Sequence, residues 1–139
     1  MFRKLLVAAG VAGLALAATP ASATTTATTV TCGPSALQSG LSTKVCAEVT
    51  GDQVQLYGQV SLPGPGPQSK ELIVNLSGGI VGGASLGSVQ GYRNFNSATI
   101  QVRGVGGTVP CGSTVHASFS VASYPWANTP VTLDLPIAC

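Results

Sequence analysis

Apolar and polar side chains alternate with a period of two along most of the chain after residue 30. In residues 44–50 every second residue is apolar, and residues 53–62 repeat the pattern. Because successive side chains of a strand point to opposite faces, each segment is predicted to be a strand with one apolar face. A two-residue turn at Gly51 and Asp52 sets Val49 opposite Val54, so that both apolar sets lie on the same face of a hairpin.

A second hairpin is predicted in the last third of the chain, where residues 113–121 and 131–139 each carry one apolar face. With Val121 opposite Thr129, the apolar positions of the two strands face each other across the pair. The same register brings Cys111 opposite Cys139, close enough for a disulfide bond. One register therefore accounts for both the apolar faces and a predicted Cys111–Cys139 bridge.

The middle of the chain is predicted to contain two further strands and two interruptions. Residues 71–77 alternate clearly, and residues 97–105 place Ala98, Ile100 and Val102 on the inner face. Three prolines break the sheet between residues 62 and 70, since proline cannot donate to a ladder of hydrogen bonds. The glycine-rich residues 78–91 are predicted to form a weak, bulged strand followed by a turn.

Short alternating strands with loop signals about every ten residues are typical of an all-β fold. No segment of helical length carries a convincing apolar stripe with a 3.6-residue period. We therefore predict an antiparallel β-sandwich of immunoglobulin-like or Greek-key type, with seven to eight strands and two disulfides. A small closed β-barrel is the alternative.

The first 23 residues have the three parts of a secretory signal peptide. Arg3 and Lys4 are followed by an apolar run at residues 5–18 and then by three small residues that end at Ala23. The run is too short to cross a bilayer, so we expect cleavage after Ala23 and a secreted, extracellular mature protein. Residues 24–29 are expected to be a flexible Thr-rich lead, and residues 30–139 to form a single β-sandwich domain.

Four cysteines in an exported chain most simply form two disulfide bonds. With Cys111 assigned to Cys139 by the strand register, the remaining pair is Cys32 with Cys46, which spans the loop of residues 33–44. We therefore predict two local bridges, one near each end of the domain sequence.

Removal of the signal peptide changes the charge of the chain. The full sequence has six Lys and Arg residues against four Asp and Glu residues. Arg3 and Lys4 leave with the signal, so the mature chain has four residues of each sign and no net charge. We expect no nucleic-acid partner and no membrane insertion of the mature chain, and the scarcity of charge favours association near neutral pH.

The titratable residues offer little basis for catalysis. His116 is the only histidine, and Asp134 is predicted on the same outward face of the facing strand, two residues along from the position opposite His116. A surface polar pair explains this arrangement better than a hydrolase does, because no nucleophile motif accompanies it. The sequence has no metal-ligand or phosphate-binding motif. We expect no catalytic residues, no metal and no cofactor.

Two loops are candidate binding surfaces. The segment SYPWANTP, residues 123–130, contains Tyr124 and Trp126, the only tryptophan, and such aromatic side chains either cover the end of a core or anchor a binding site. The segment LPGPGPQSK, residues 62–70, is stiffened by Pro63 and Pro65 and is expected to present an exposed Lys70.

These loops favour a non-enzymatic binding module that acts on an extracellular protein or a cell-envelope polymer. A secreted peptidase inhibitor that presents residues 62–70 is the alternative function, because such inhibitors offer an extended loop to the groove of the enzyme.

The stretches VPCGSTV, SYPW and PVTLDLPIAC, with the basic signal and the Ala-, Thr- and Gly-rich composition, resemble small secreted, disulfide-bonded β proteins of actinobacteria. This resemblance implies an exported domain and carries no functional motif. The chain is also similar in size, export and two disulfides to the neocarzinostatin-type apoproteins, which implies carriage of a small apolar ligand as a minor alternative. The predicted pairs lie 14 and 28 residues apart, wider than the short disulfide loops of that family.

Overall fold

The computed structural model describes residues 27–123 and 129–138 of the chain. In these residues every regular element is a strand. The strands are β1 (Thr29–Cys32), β2 (Ala36–Gln38), β3 (Leu41–Thr50), β4 (Gln53–Ser61), β5 (Ser69–Ile80), β6 (Ser85–Asn96), β7 (Ile100–Thr108), β8 (Thr114–Ala122) and β9 (Val131–Pro136). The prediction of an all-β fold is confirmed, but the described residues contain nine strands where seven to eight were predicted. No helix in the described residues is long and apolar enough to span a membrane.

The strands form two antiparallel sheets that pack face to face. Sheet A has the order β1-β3-β4-β7, and β2 also pairs with β3. Sheet B has the order β6-β5-β8-β9. The chain crosses between the sheets after β4, β6 and β7, so that strands distant in sequence become neighbours. Both sheets are open at their edges, which confirms the predicted sandwich and excludes the closed barrel.

The registers of both predicted hairpins are confirmed. Val49 pairs with Val54 across the turn between β3 and β4, and Phe119 pairs with Val131 between β8 and β9. The match follows from the period-two pattern, because a shift of one residue would turn every apolar side chain of one strand towards solvent.

The predicted disulfide between Cys32 and Cys46 is also confirmed. The two residues are direct partners on β1 and β3, 14 positions apart in the sequence. Closing a loop of this length contributes about 3 kcal/mol in the chain-entropy account, and the bond is compatible with an exported protein. Cys139 lies outside the described residues, so the Cys111–Cys139 bridge stays a prediction.

The core lies between the inner faces of the two sheets and is made of aliphatic side chains around two phenylalanines, Phe95 and Phe119. Both rings are fully buried. Phe119 of sheet B lies directly against Gly58 of sheet A, where a methyl group would overlap three atoms of the ring. This glycine is therefore needed for close approach of the sheets.

The prediction for residues 78–91 is only partly right. A bulge does lie between Gly78 and Gly79, but residues 85–91 belong to a strand of 12 residues, and the turn is at residues 81–84. Gly78 faces the core, where an added side chain would overlap Leu56. Its role is thus close packing within a strand, which the sequence pattern does not distinguish from a turn. Ala98 is exposed rather than inward, because β7 begins only at Ile100.

Candidate functional site

One end of the sandwich, here called the loop end, gathers three connections, and one of them contains the proline-rich segment that the sequence indicated as a binding surface. It consists of residues 39–40 between β2 and β3, residues 62–68 between β4 and β5, and residues 97–99 between β6 and β7. The end of β8 lies here too, because Ala122 pairs with Ile73 near the start of β5.

Residues 63–67 of the proline-rich connection are exposed, and their base is held in place. The hydroxyl of Ser97 accepts a hydrogen bond from the amide of Gln68 at 3.0 Å and donates one to its carbonyl at 3.1 Å. Ser97 has a φ of 63°, which is unfavourable for a residue with a side chain. The pair of hydrogen bonds helps to hold this conformation, so Pro63 and Pro65 stand in solvent above a fixed base.

Lys70 is half-buried, which corrects the expectation of an exposed side chain. Its Nζ donates a hydrogen bond to the carbonyl oxygen of Ser39 at 2.8 Å. The reason lies in the register: Lys70 is paired with buried Phe95 and shares the core-facing side of β5 with Leu72. The stem therefore runs along the edge of the core and the ammonium group ends on a neighbouring turn. Lys70 therefore links the start of β5 to the connection at residues 39–40.

At the same end, the side chains of Gln38 and Ser39 form hydrogen bonds with the backbone of β8 at and beyond the point where its pairing with β9 ends. The pairing of β9 with β8 stops at Phe119, and β8 continues for three more residues. Gln38 accepts a hydrogen bond from the Val121 amide at 3.0 Å and donates one to the Phe119 carbonyl at 3.1 Å. The Ser39 hydroxyl donates to the Val121 carbonyl at 3.1 Å. Both residues are buried, so the loop end rests on satisfied polar groups.

Four aromatic residues are considered for a binding surface, and the structure describes two of them, Tyr92 and Phe95. Tyr124 and Trp126 lie outside the described residues, and their binding role stays a prediction. Tyr92 on β6 is 68% exposed, whereas Phe95 on the same strand is fully buried. The two residues are three positions apart and therefore point to opposite faces of the strand, so Phe95 belongs to the core and not to an aromatic surface.

His116 and Asp134 form a hydrogen-bonded pair on the outward side of sheet B. They are direct partners across β8 and β9, as the predicted register of the hairpin requires, so the predicted offset of two residues is wrong. The Nδ1 atom of His116 lies 2.6 Å from Oδ1 of Asp134, and because a carboxylate only accepts, the imidazole N–H is the donor. In neutral imidazole this arrangement leaves Nε2 as an acceptor.

A shallow groove of about 310 Å³ borders His116 on sheet B. It exists because the β5 partner of His116 is Gly79, which has no side chain to fill the space. The hydroxyls of Ser77, Ser85 and Ser88 line it. Among the described residues no hydrogen bond joins a serine to His116.

A second groove, about 190 Å³, lies between the edges of β1 and β9. It is smaller than the roughly 300–1,000 Å³ of typical ligand sites. This groove therefore gives no support to the carriage of a small apolar ligand.

A cluster that the sequence did not indicate lies on the outward side of sheet A. The guanidinium of Arg103 donates two hydrogen bonds to Glu48, at 2.8 and 3.2 Å, and lies 4.4 Å from the ring centroid of Tyr57. The hydrogen bond from Arg103 holds the pKa of Glu48 below its ordinary value of 4.5. Only the pairing of β4 with β7 brings these residues together, and no local signal predicts that pairing.

Comparison with protein-family models, with curated proteins and with solved structures finds no match for this chain. In the described residues no group of three His, Cys, Asp or Glu side chains is placed to hold a metal ion. The candidate surfaces are the loop end and the outward side of sheet B, where the described side chains offer hydroxyl, amide and carboxylate groups.

Proposed function

We propose that this protein is an exported, non-enzymatic binding module that engages an extracellular protein through its loop end. The observation that carries the proposal is the hydrogen-bonded frame beneath the loops, in which Ser97 holds Gln68 and Lys70 holds Ser39. Ordering a loop on binding costs free energy, so loops that are held in place before binding favour affinity.

The exposed residues 63–67 supply the contact surface in this proposal. Proline restricts the backbone to extended conformations, and such segments dock into apolar or aromatic-lined grooves with little further loss of entropy. No charged residue lies within 63–67, and Lys70, the nearest cation along the sequence, is engaged with Ser39. The partner is therefore expected to offer an uncharged groove.

Export is supported by the signal-like residues 1–23 and by the Cys32–Cys46 disulfide. Disulfides form and persist in oxidising compartments. An extracellular partner follows from this location.

Inhibition of a secreted peptidase is the second candidate, since an exposed segment on a fixed base is what an inhibitor presents to an enzyme. The engagement of Lys70 removes it as a residue that would enter a specificity pocket for basic side chains. Trypsin-like enzymes are therefore less suitable targets than enzymes with apolar pockets. If micromolar mature protein leaves subtilisin-like, trypsin-like and papain-like peptidases fully active, this candidate is rejected.

The loop-end proposal is tested with immobilised, oxidised mature protein and the extracellular proteins of the producing culture. We expect the double variant Pro63→Ala and Pro65→Ala to lose the retained protein. The matched control is Val81→Ser, which changes a 61% exposed side chain at the opposite end of the sandwich. Equal retention by both variants would contradict the proposal.

Trp126 provides an independent measurement, because it is the only tryptophan and its emission can be followed without a label. A purified partner should change this emission in the wild-type protein. If Trp126→Ala leaves the affinity of that partner unchanged, residues 123–130 are not part of the binding surface.

A further inference from the structure

The outward side of sheet B has a chemistry of its own, distinct from the loop end. Its side chains come from alternate positions of the four strands, and two neighbouring rows across the sheet hold only hydroxyl and amide groups. These rows contain Gln90, Asn75 and Ser120, and Ser88, Ser77 and Ser118. We call this surface the sheet-B outer face.

The groove beside His116 continues the sheet-B outer face at one end. Its floor is Gly79, flanked by Ser85 on one side and by His116 with Asp134 on the other. Its volume of about 310 Å³ is at the lower end of ligand sites and suits a ligand of about one ring. The serine hydroxyls can donate and accept, and the His116–Asp134 pair offers acceptors.

An exposed aromatic side chain marks the other end of the face. Tyr92 is 68% exposed, and its β5 partner Ile73 is 41% exposed. An amphipathic ring in this setting presents an apolar face for stacking and a hydroxyl for hydrogen bonding. Ile73 and Gly79 are six residues apart on β5, which corresponds to roughly 20 Å along a strand. A ligand that contacts both ends is therefore an extended polymer.

The charges of the face disfavour an anionic ligand. The carboxylates are Glu71 at the Tyr92 end and Asp134 at the groove. Arg93 is half-buried on the opposite side of β6, where it pairs with Leu72. With carboxylates and no lysine or arginine among its described outward side chains, the face repels anionic polymers. Sugar hydroxyls match its groups, because each hydroxyl both donates and accepts.

We propose that the sheet-B outer face binds a neutral polysaccharide, with the sugar chain running along the strands from the Gly79 groove to Tyr92. The site uses side chains of the strands and none of the connections at residues 39–40, 62–68 and 97–99, so it gives the protein a polymer-binding surface in addition to the proposed protein-binding one. Hydroxyl and amide groups provide hydrogen bonds along the chain, and Tyr92 provides a stacking platform.

The test measures binding of the oxidised mature protein to cellulose, chitin, xylan and a soluble β-glucan, by depletion from solution and by calorimetry. We expect one or more of these neutral polymers to bind. Tyr92→Ala should weaken that binding about tenfold, whereas Tyr92→Phe keeps the ring and should retain most of it. Gly79→Val should also weaken binding, since it fills the groove floor without removing a polar group. Circular dichroism and thermal unfolding show whether each variant is folded.

The double variant Pro63→Ala and Pro65→Ala is the matched control, because it alters the loop end and leaves the sheet-B outer face intact. It should bind the polymer like the wild type, which separates this proposal from the loop-end proposal. Lack of binding to every neutral polymer, or binding that folded Tyr92→Ala and Gly79→Val leave unchanged, would overturn the inference. A dimer in analytical ultracentrifugation that Tyr92→Ala dissociates would also overturn it, by assigning the face to a second copy of the chain.

Discussion

Replacing Gln38 with leucine tests the polar frame beneath the loop end. The side chain is 3% exposed and makes hydrogen bonds with the Val121 amide, the Phe119 carbonyl and the Thr43 hydroxyl. Leucine has a similar size, so the change removes these bonds without opening a large cavity. The Val121 amide then loses the acceptor that Gln38 provides. It stays buried and lies beyond the last residue pair of β8 and β9.

The expected loss of stability can be worked out from these bonds. A buried amide without a partner costs about 1–3 kcal/mol, and each of the other two hydrogen bonds contributes about 1 kcal/mol. The greater hydrophobicity of leucine offsets about 1 kcal/mol of this loss. We therefore expect the free energy of unfolding to fall by about 2–4 kcal/mol.

Urea unfolding of the oxidised protein, followed by circular dichroism, measures this change. Gln55→Leu is the matched control, because Gln55 is an exposed glutamine on the outward side of β4. Amide hydrogen exchange should also show faster exchange at Val121 in the Gln38→Leu variant. If both variants lose the same stability within about 0.5 kcal/mol, or if exchange at Val121 is unchanged, the reasoning about the frame is wrong.

Two further predictions concern sheet A. Gly58→Ala should destabilise the protein by about 1–3 kcal/mol, because the added methyl group overlaps the Phe119 ring. Gly64→Ala is the control, since its methyl group lies in open space. Equal urea midpoints for the two variants would contradict this prediction. The hydrogen bond from Arg103 lowers the pKa of Glu48 in the folded state. The carboxylate therefore stabilises the folded protein above its ordinary pKa of 4.5. This contribution is lost as the pH falls through the pKa of the folded state. The stability difference between wild type and Glu48→Gln should therefore shrink at acidic pH in a series of urea titrations, and a difference that grows there would show that the ion pair is not its cause.

The strands and hairpins could be predicted because their signals are local. The period of two identifies each strand, and the match of Val49 with Val54 leaves one acceptable register for the first hairpin. The register of β8 and β9 follows in the same way. The glycine-rich residues were less predictable, since Gly78 in a packed strand and a glycine in a turn have the same appearance in the sequence.

The candidate surfaces could be predicted only in part. The exposure of residues 63–67 follows from their prolines and glycines, but the buried stem of Lys70 depends on its register with Phe95. The sheet-B outer face was missed because outward serines and asparagines are also ordinary solvent-exposed residues. Their grouping into rows requires the order of β6, β5 and β8, which the sequence pattern does not contain.

The sequence by itself determined the all-β class and the local hairpins, because each depends on residues close together in the chain. The Cys32–Cys46 pairing followed as the pair that the register of the second hairpin left over. The tertiary structure decided which strands are neighbours, and with them the contacts of Glu48 with Arg103, 55 residues apart, and of Gln38 with Val121, 83 residues apart. The physical reason is that the entropy of closing a loop varies only slowly with its length. Many distant pairings therefore cost nearly the same, and the burial of the whole core selects among them.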